Sequence, residues 1–78
     1  MARIREMRPI QKDRNSVHAP VECSYSIFRS GGQTYLQLDT YGSADRLLHG
    51  KVSQSIQFDE ASARQLKQLI EEAFPALR

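Results

Sequence analysis

The chain has 78 residues, with eleven basic and nine acidic side chains, a single cysteine and no tryptophan. A chain of this length buries only roughly 60–65% of the surface it exposes when unfolded, so it needs a disulfide, a metal, exceptional packing or a partner to hold it. Cys23 alone makes no internal disulfide, His18 and His49 stand at no ligand spacing from it or from an acidic pair, and no apolar run approaches the length of a membrane span. No metal and no cofactor are therefore expected, and association, most simply as a twofold dimer, is the remaining support. The opening residues also lack the basic, apolar, small-residue order of a secretory leader, which places the chain in a reducing cytoplasm.

Charge is unevenly distributed. The first fourteen residues hold Arg3, Arg5, Arg8, Lys12 and Arg14 against Glu6 and Asp13, while the rest of the chain nearly cancels. Such an arm either neutralises phosphates or serves as a solvated tail. Residues 1–19 have no sustained periodicity and read as a basic N-terminal arm. Pro9 rules out a long helix there, and only Ile4 to Ile10 offers a further edge strand. Residues 20–78 read as one sheet-plus-helix domain.

Within that domain Val21 to Phe28 alternates, with Val21, Cys23, Tyr25 and Ile27 on one face and Glu22, Ser24, Ser26 and Phe28 on the other. Cys23 thus reads as a small buried hydrophobe with a sluggish thiol. Gly31-Gly32 separates this run from Thr34 to Tyr41, which makes a hairpin. The second run turns Leu36 and Leu38 inward and leaves Tyr35, Gln37, Asp39 and Tyr41 on the open face. A loop follows between Gly42 and Gly50. Lys51 to Phe58 alternates again, with Val52, Ile56 and Phe58 inward beside Gln54, and Ser53, Ser55 and Gln57 outward.

Asp59 is a good N-cap, and Glu60 adds negative charge to the first helical turn, where the helix dipole favours it. Ala63, Leu66, Leu69, Ile70, Ala73 and Phe74 recur at three- and four-residue steps before Pro75 ends the helix. That apolar stripe is wider than one small sheet needs, so the helix is the expected dimer contact. The fold class is α+β: an antiparallel sheet of three to four strands followed by one C-terminal amphipathic helix.

No constellation carries catalysis. The histidines fall in loops away from any nucleophile, Glu71 and Glu72 are adjacent helix residues that point apart, and no glycine-lysine-serine/threonine sequence leads into a helix. The chain reads as a non-enzyme. The open face of the sheet, with Tyr35, Tyr41, Phe28 and several serines rimmed by Arg29, Arg46 and Lys51, has the composition on which unpaired bases stack while cations hold phosphates. The same aromatic residues would equally make cross-strand pairs or fill a dimer interface.

The order strand, glycine turn, strand, loop, strand, helix, with Gly50-Lys51 ahead of Ser55-Ile56-Gln57-Phe58 and Asp59-Glu60-Ala61-Ser62 opening the helix, resembles the positive cofactor four family of transcriptional coactivators over about residues 21 to 74. The chain departs from it in lacking tryptophan, in carrying few strand lysines and in a longer junction at Ser53-Gln54. The resemblance implies a curved antiparallel sheet, a homodimer whose helices meet near the twofold axis, and single-stranded DNA binding on basic and aromatic strand surfaces. It carries binding onto Arg29, Tyr41, Arg46 and Lys51. Alternation adds Tyr35, and the arm adds Arg5 and Arg8.

The functional expectation is a homodimer that binds single-stranded DNA or RNA, as a cofactor in transcription or another DNA transaction. The alternative is a protein-interaction module, an accessory subunit or inhibitor of a larger partner.

Overall fold

A computed structural model describes residues 1–42 and 50–78. Its elements are β1 (Ala2–Ile4), β2 (Cys23–Ser30), β3 (Gln33–Tyr41), β4 (Val52–Phe58), α1 (Glu60–Ala73) and a closing 3-10 turn, Pro75–Leu77. The strands form one sheet in the order β1-β4-β3-β2, followed by the helix, an α+β fold.

The hairpin is set by its two glycines. Gly31 and Gly32 have φ of 57° and 79°, the pair of positive values that a two-residue type I′ turn requires and that matches the twist of the flanking strands. The register then runs without a break from Ser30↔Gln33 to Cys23↔Thr40. Beyond it, the Tyr41 N–H donates to the Glu22 carbonyl at 3.2 Å.

β3 and β4 are also antiparallel, with Leu36 opposite Phe58 and Leu38 opposite Ile56. The alternation breaks at one point. Thr40 pairs with Gln54 but Tyr41 pairs with Val52, so Ser53 is an extra residue in β4. The slip moves Val52 off the face of Ile56 and Phe58, where simple alternation places it, and sets it beside Tyr41.

The fourth strand lies nearer the N-terminus than Ile4 to Ile10: it is Ala2–Ile4, and it runs parallel to β4, with Ala2 opposite Ile56 and Ile4 opposite Phe58. The sheet is therefore mixed, antiparallel across β2, β3 and β4 with a parallel edge. Ala2 and Ile4 thereby join the apolar face. After β1 the chain turns onto the helix, where the Gln65 side chain accepts from the Met7 N–H at 2.9 Å and donates to the Met7 carbonyl at 2.6 Å. A side-chain amide thus pairs with the arm as a neighbouring strand would.

The helix opens on a reciprocal cap. The Ser62 N–H donates to the Asp59 carboxylate at 2.9 Å, and the Asp59 N–H donates to the Ser62 hydroxyl at 3.1 Å, which satisfies two otherwise orphaned donors. Ser62 is the most buried side chain described, at 1% exposure. Arg64 and Glu60 pair at 2.8 Å one turn apart. At the other end the Phe74 N–H bonds to Ile70, and Pro75 begins the 3-10 turn.

The helix packs on the apolar face over β3 and β4. Leu36, Leu38, Ile56, Ala63 and Leu66 are half-buried there, and Phe58 is 7% exposed. The apolar side of β2 is left open: Tyr25 is 74% exposed, Ile27 68%, and Cys23 and Val21 are exposed as well. Alternation assigns these residues to the correct face, but a face is not a core, and their expected burial does not hold. Cys23 is an exposed thiol.

Two outcomes check this packing. Phe58→Ala removes the most buried aliphatic or aromatic side chain and is expected to lower unfolding free energy by about 3 kcal/mol or more in urea titration. Hydrogen bonds from Ser62, then the nearby Arg3 guanidinium, hold the Asp59 carboxyl below its ordinary value of 3.8. Its contribution to stability is therefore complete above that value and is lost as pH falls through the lowered folded-state value. Asp59→Asn is expected to flatten the acid limb of the melting temperature against pH, leaving the neutral region parallel to the parent.

Candidate nucleic-acid interface

The second face of the sheet carries the polar residues. Register places Arg3, Gln57, Gln37 and Ser26 in one row across all four strands. Phe28 and Tyr35 face each other across β2 and β3, with ring centroids 5.4 Å apart and planes inclined by 26°. This offset stack is a favourable aromatic geometry. The Arg3 guanidinium lies 5.9 Å from the Tyr35 ring centre and 3.4 Å from its hydroxyl. Both distances sit at the outer limit of their interactions, so Arg3 is held loosely and is free to take a stronger anionic partner.

A chain of amides continues from this cluster. Gln57 donates to Gln37 at 2.7 Å, and Gln37 donates to both Asp39 carboxylate oxygens at 3.0 and 3.2 Å. Asp39 is thereby turned into a hydrogen-bonded row. Arg3, Gln37, Asp39, Val52, Ser55 and Gln57 line a recess of about 370 Å³ on this face. Ser55 is buried beneath it, at 7% exposure.

The expected binding residues separate into groups. Tyr35 lies at the centre of the aromatic and basic cluster. Tyr41 lies on the same face but is 9% exposed, with its hydroxyl 3.0 Å from the Ser24 hydroxyl, so it anchors the face and offers no open plane. Arg29 projects on the opposite, apolar face, where it bonds to Thr34 and the Gly32 carbonyl at 3.2 Å each. It reaches the polar face only around the hairpin. Lys51 is exposed next to Val52 at the far end of the face. Arg8 is exposed and paired with Glu6 at 2.6 Å, Arg5 is exposed in the arm, and both lie past β1 and outside the cluster. Arg46 lies outside the described residues.

Alternation puts Gln37 and Gln57 on the open face but does not show their joining into one row, and it leaves Arg3 in the N-terminal arm. Arg3 was available from one signal, its position between the apolar Ala2 and Ile4, which is strand alternation in miniature. The glutamine row needed the β3–β4 register. Among the described residues no group of three or more His, Cys, Asp and Glu side chains stands close enough to hold a metal ion, and no helix is long and apolar enough to cross a membrane.

No protein-family model, no curated protein and no solved structure matches the chain. The reading of this face therefore rests on its own geometry.

The two hydroxyls at the end of the face give a direct check. Ser24→Ala leaves the part-buried Tyr41 hydroxyl without its partner and is expected to cost about 1 kcal/mol in urea unfolding. Ser26→Ala, on the same strand and face with no such partner, is expected to change stability by less than about 0.5 kcal/mol.

Proposed function

We propose that the polar face of the sheet binds single-stranded nucleic acid, in a non-enzymatic homodimer that works in the cytoplasm as a cofactor of transcription or another DNA transaction. The observation that carries this reading is the placement of a half-buried aromatic stack, Phe28 and Tyr35, beside the loosely held Arg3 cation on one face with a hydrogen-bonding recess. Unpaired bases stack on aromatic planes irrespective of sequence, and cations at the rim hold the phosphates. A duplex presents its bases stacked inside and gains little from such a surface.

The roles follow from position. Tyr35, backed by Phe28, is the stacking platform. Arg3 holds a phosphate at one end of the face and Lys51 does so at the other, and Arg46, outside the described residues, is carried over from the family resemblance as a further cation. Gln37 and Gln57 donate and accept along base edges. Arg5, Arg8 and Arg29 supply peripheral charge from the arm and the hairpin. The exposed helix residues Leu69, Ile70 and Phe74 support a dimer contact through α1. The same exposed residues also favour the alternative of a larger protein partner.

Fluorescence anisotropy with labelled single-stranded and duplex DNA of equal length, at two salt concentrations, tests the reading. The expected outcome is preference for the single strand, with affinity that falls steeply as salt rises. Tyr35→Ala is expected to cost about 1 to 3 kcal/mol of binding, and Arg3→Ala to weaken binding and reduce its salt dependence. No binding at low salt, or binding indifferent to both substitutions, would refute the proposal and leave the protein-partner reading in its place.

A further inference from the structure

β2 is an edge strand whose outer side has no occupant among the described residues. The antiparallel ladder alternates, so parity decides which backbone groups face outward. The two-residue turn makes Ser30 and Gln33 a hydrogen-bonded pair, and the bond from the Tyr41 N–H to the Glu22 carbonyl fixes the same parity at the other end. The even-numbered residues of β2 therefore bond to β3. The N–H and C=O groups of Cys23, Tyr25, Ile27 and Arg29 point away from the sheet, and no backbone partner among the described residues reaches them.

Edge strands that stay single are usually blunted by lysine, proline, a bulge or short length. β2 has eight residues, one charged side chain, no proline and an unbroken register. The opposite edge of the sheet, β1, is three residues long. The chain as a whole exposes 7126 Å², against about 4,800 Å² for a compact monomer of its mass by the usual scaling. The exposed segment after β1 accounts for part of this excess, and the open side of β2 adds Tyr25 and Ile27.

We propose that the outer edge of β2 pairs antiparallel with the same edge of a second copy, about a twofold axis at Ser26, so that one sheet runs through both subunits. This register uses all four outward-facing residues. Tyr25 meets Ile27 of the partner subunit and Cys23 meets Arg29 of the partner subunit, each such pair exchanging two backbone hydrogen bonds. On the apolar face it forms aromatic-to-β-branched cross-strand pairs, a favourable combination, and it sets no like charges opposite one another. The contact is isologous and closes on itself, and the short β1 edge gives little purchase for further growth. A second copy is thus the occupant for which the strand is self-complementary. The inference deepens the homodimer part of the proposed function by naming a strand contact distinct from the helix, and it is independent of nucleic-acid binding.

The axis falls on a pair that is not hydrogen-bonded, where the two Ser26 Cα atoms would stand about 4.5 Å apart, within disulfide range. In a Cys23→Ser background, Ser26→Cys is incubated with oxidised glutathione, which accepts the two electrons as the thiols join. Ser30→Cys is the control, since this register separates its two copies by roughly 26 Å along the strands. Expected are rapid formation of a disulfide-linked dimer with Ser26→Cys only, and a halved mass by light scattering for Ile27→Lys without loss of the folded circular dichroism spectrum. A monomer at every concentration up to 100 μM would overturn the proposal, as would equal cross-linking of both cysteine variants. A dimer that Ile70→Glu dissociates but that Ser26→Cys does not link would overturn the strand contact while leaving a helix-mediated homodimer standing.

Discussion

One helix cannot cover one face of four strands. At about 1.5 Å per residue, the fourteen residues of α1 span roughly 21 Å in length and about 10 Å in width, whereas strands lie about 4.8 Å apart. The helix therefore covers about two strands, and it covers the central pair, β3 and β4. Both edges follow from this. β1 and the arm that leaves it are held by backbone pairing to β4 and by Gln65, while β2 keeps its register with β3 but is left open on its apolar side by the described residues.

The division of the sheet into two faces organises the function. The covered face holds Leu36, Leu38, Ile56 and Phe58, which with Ala63 and Leu66 of the helix form the apolar packing of the described residues on that side. The opposite face is polar yet ordered, because its groups bond to one another: Gln57 to Gln37, Gln37 to Asp39, Tyr41 to Ser24. These bonds fix the orientation of the row's donors and acceptors. Arg3 stands at one end with only long contacts to Tyr35, and that contrast between a satisfied row and a weakly committed cation gives the face its directional character.

The same geometry links stability to the site. The Asp59 cap that starts the helix lies close enough to Arg3 for the guanidinium to favour its ionised form, so the residue that begins α1 and the cation of the polar face share one electrostatic environment. An anion that draws Arg3 away would weaken that electrostatic attraction while leaving the larger contribution, the Ser62 hydrogen bonds, in place.

Local chemistry was enough to read the glycine turn, the three long strands, the capped helix and its proline stop, because each depends on neighbours in the chain: positive φ at Gly31 and Gly32, a carboxylate three residues before the Ser62 N–H, and apolar residues at a period of two or about 3.6. The composition of the polar face was legible for the same reason. What the chain alone did not determine depended on contacts between distant segments. The parallel pairing of Ala2–Ile4 is three residues long, so its brief alternation fixes neither the partner strand nor the direction. The bulge at Ser53 depends on the register of β4 against β3, and it moved Val52 across the sheet. Cys23 is exposed because alternation assigns a side chain to a face and only the position of the helix decides which part of that face is covered, whereas Tyr41, on the opposite face, is buried where the strand pairings set it against Ser24 and Val52.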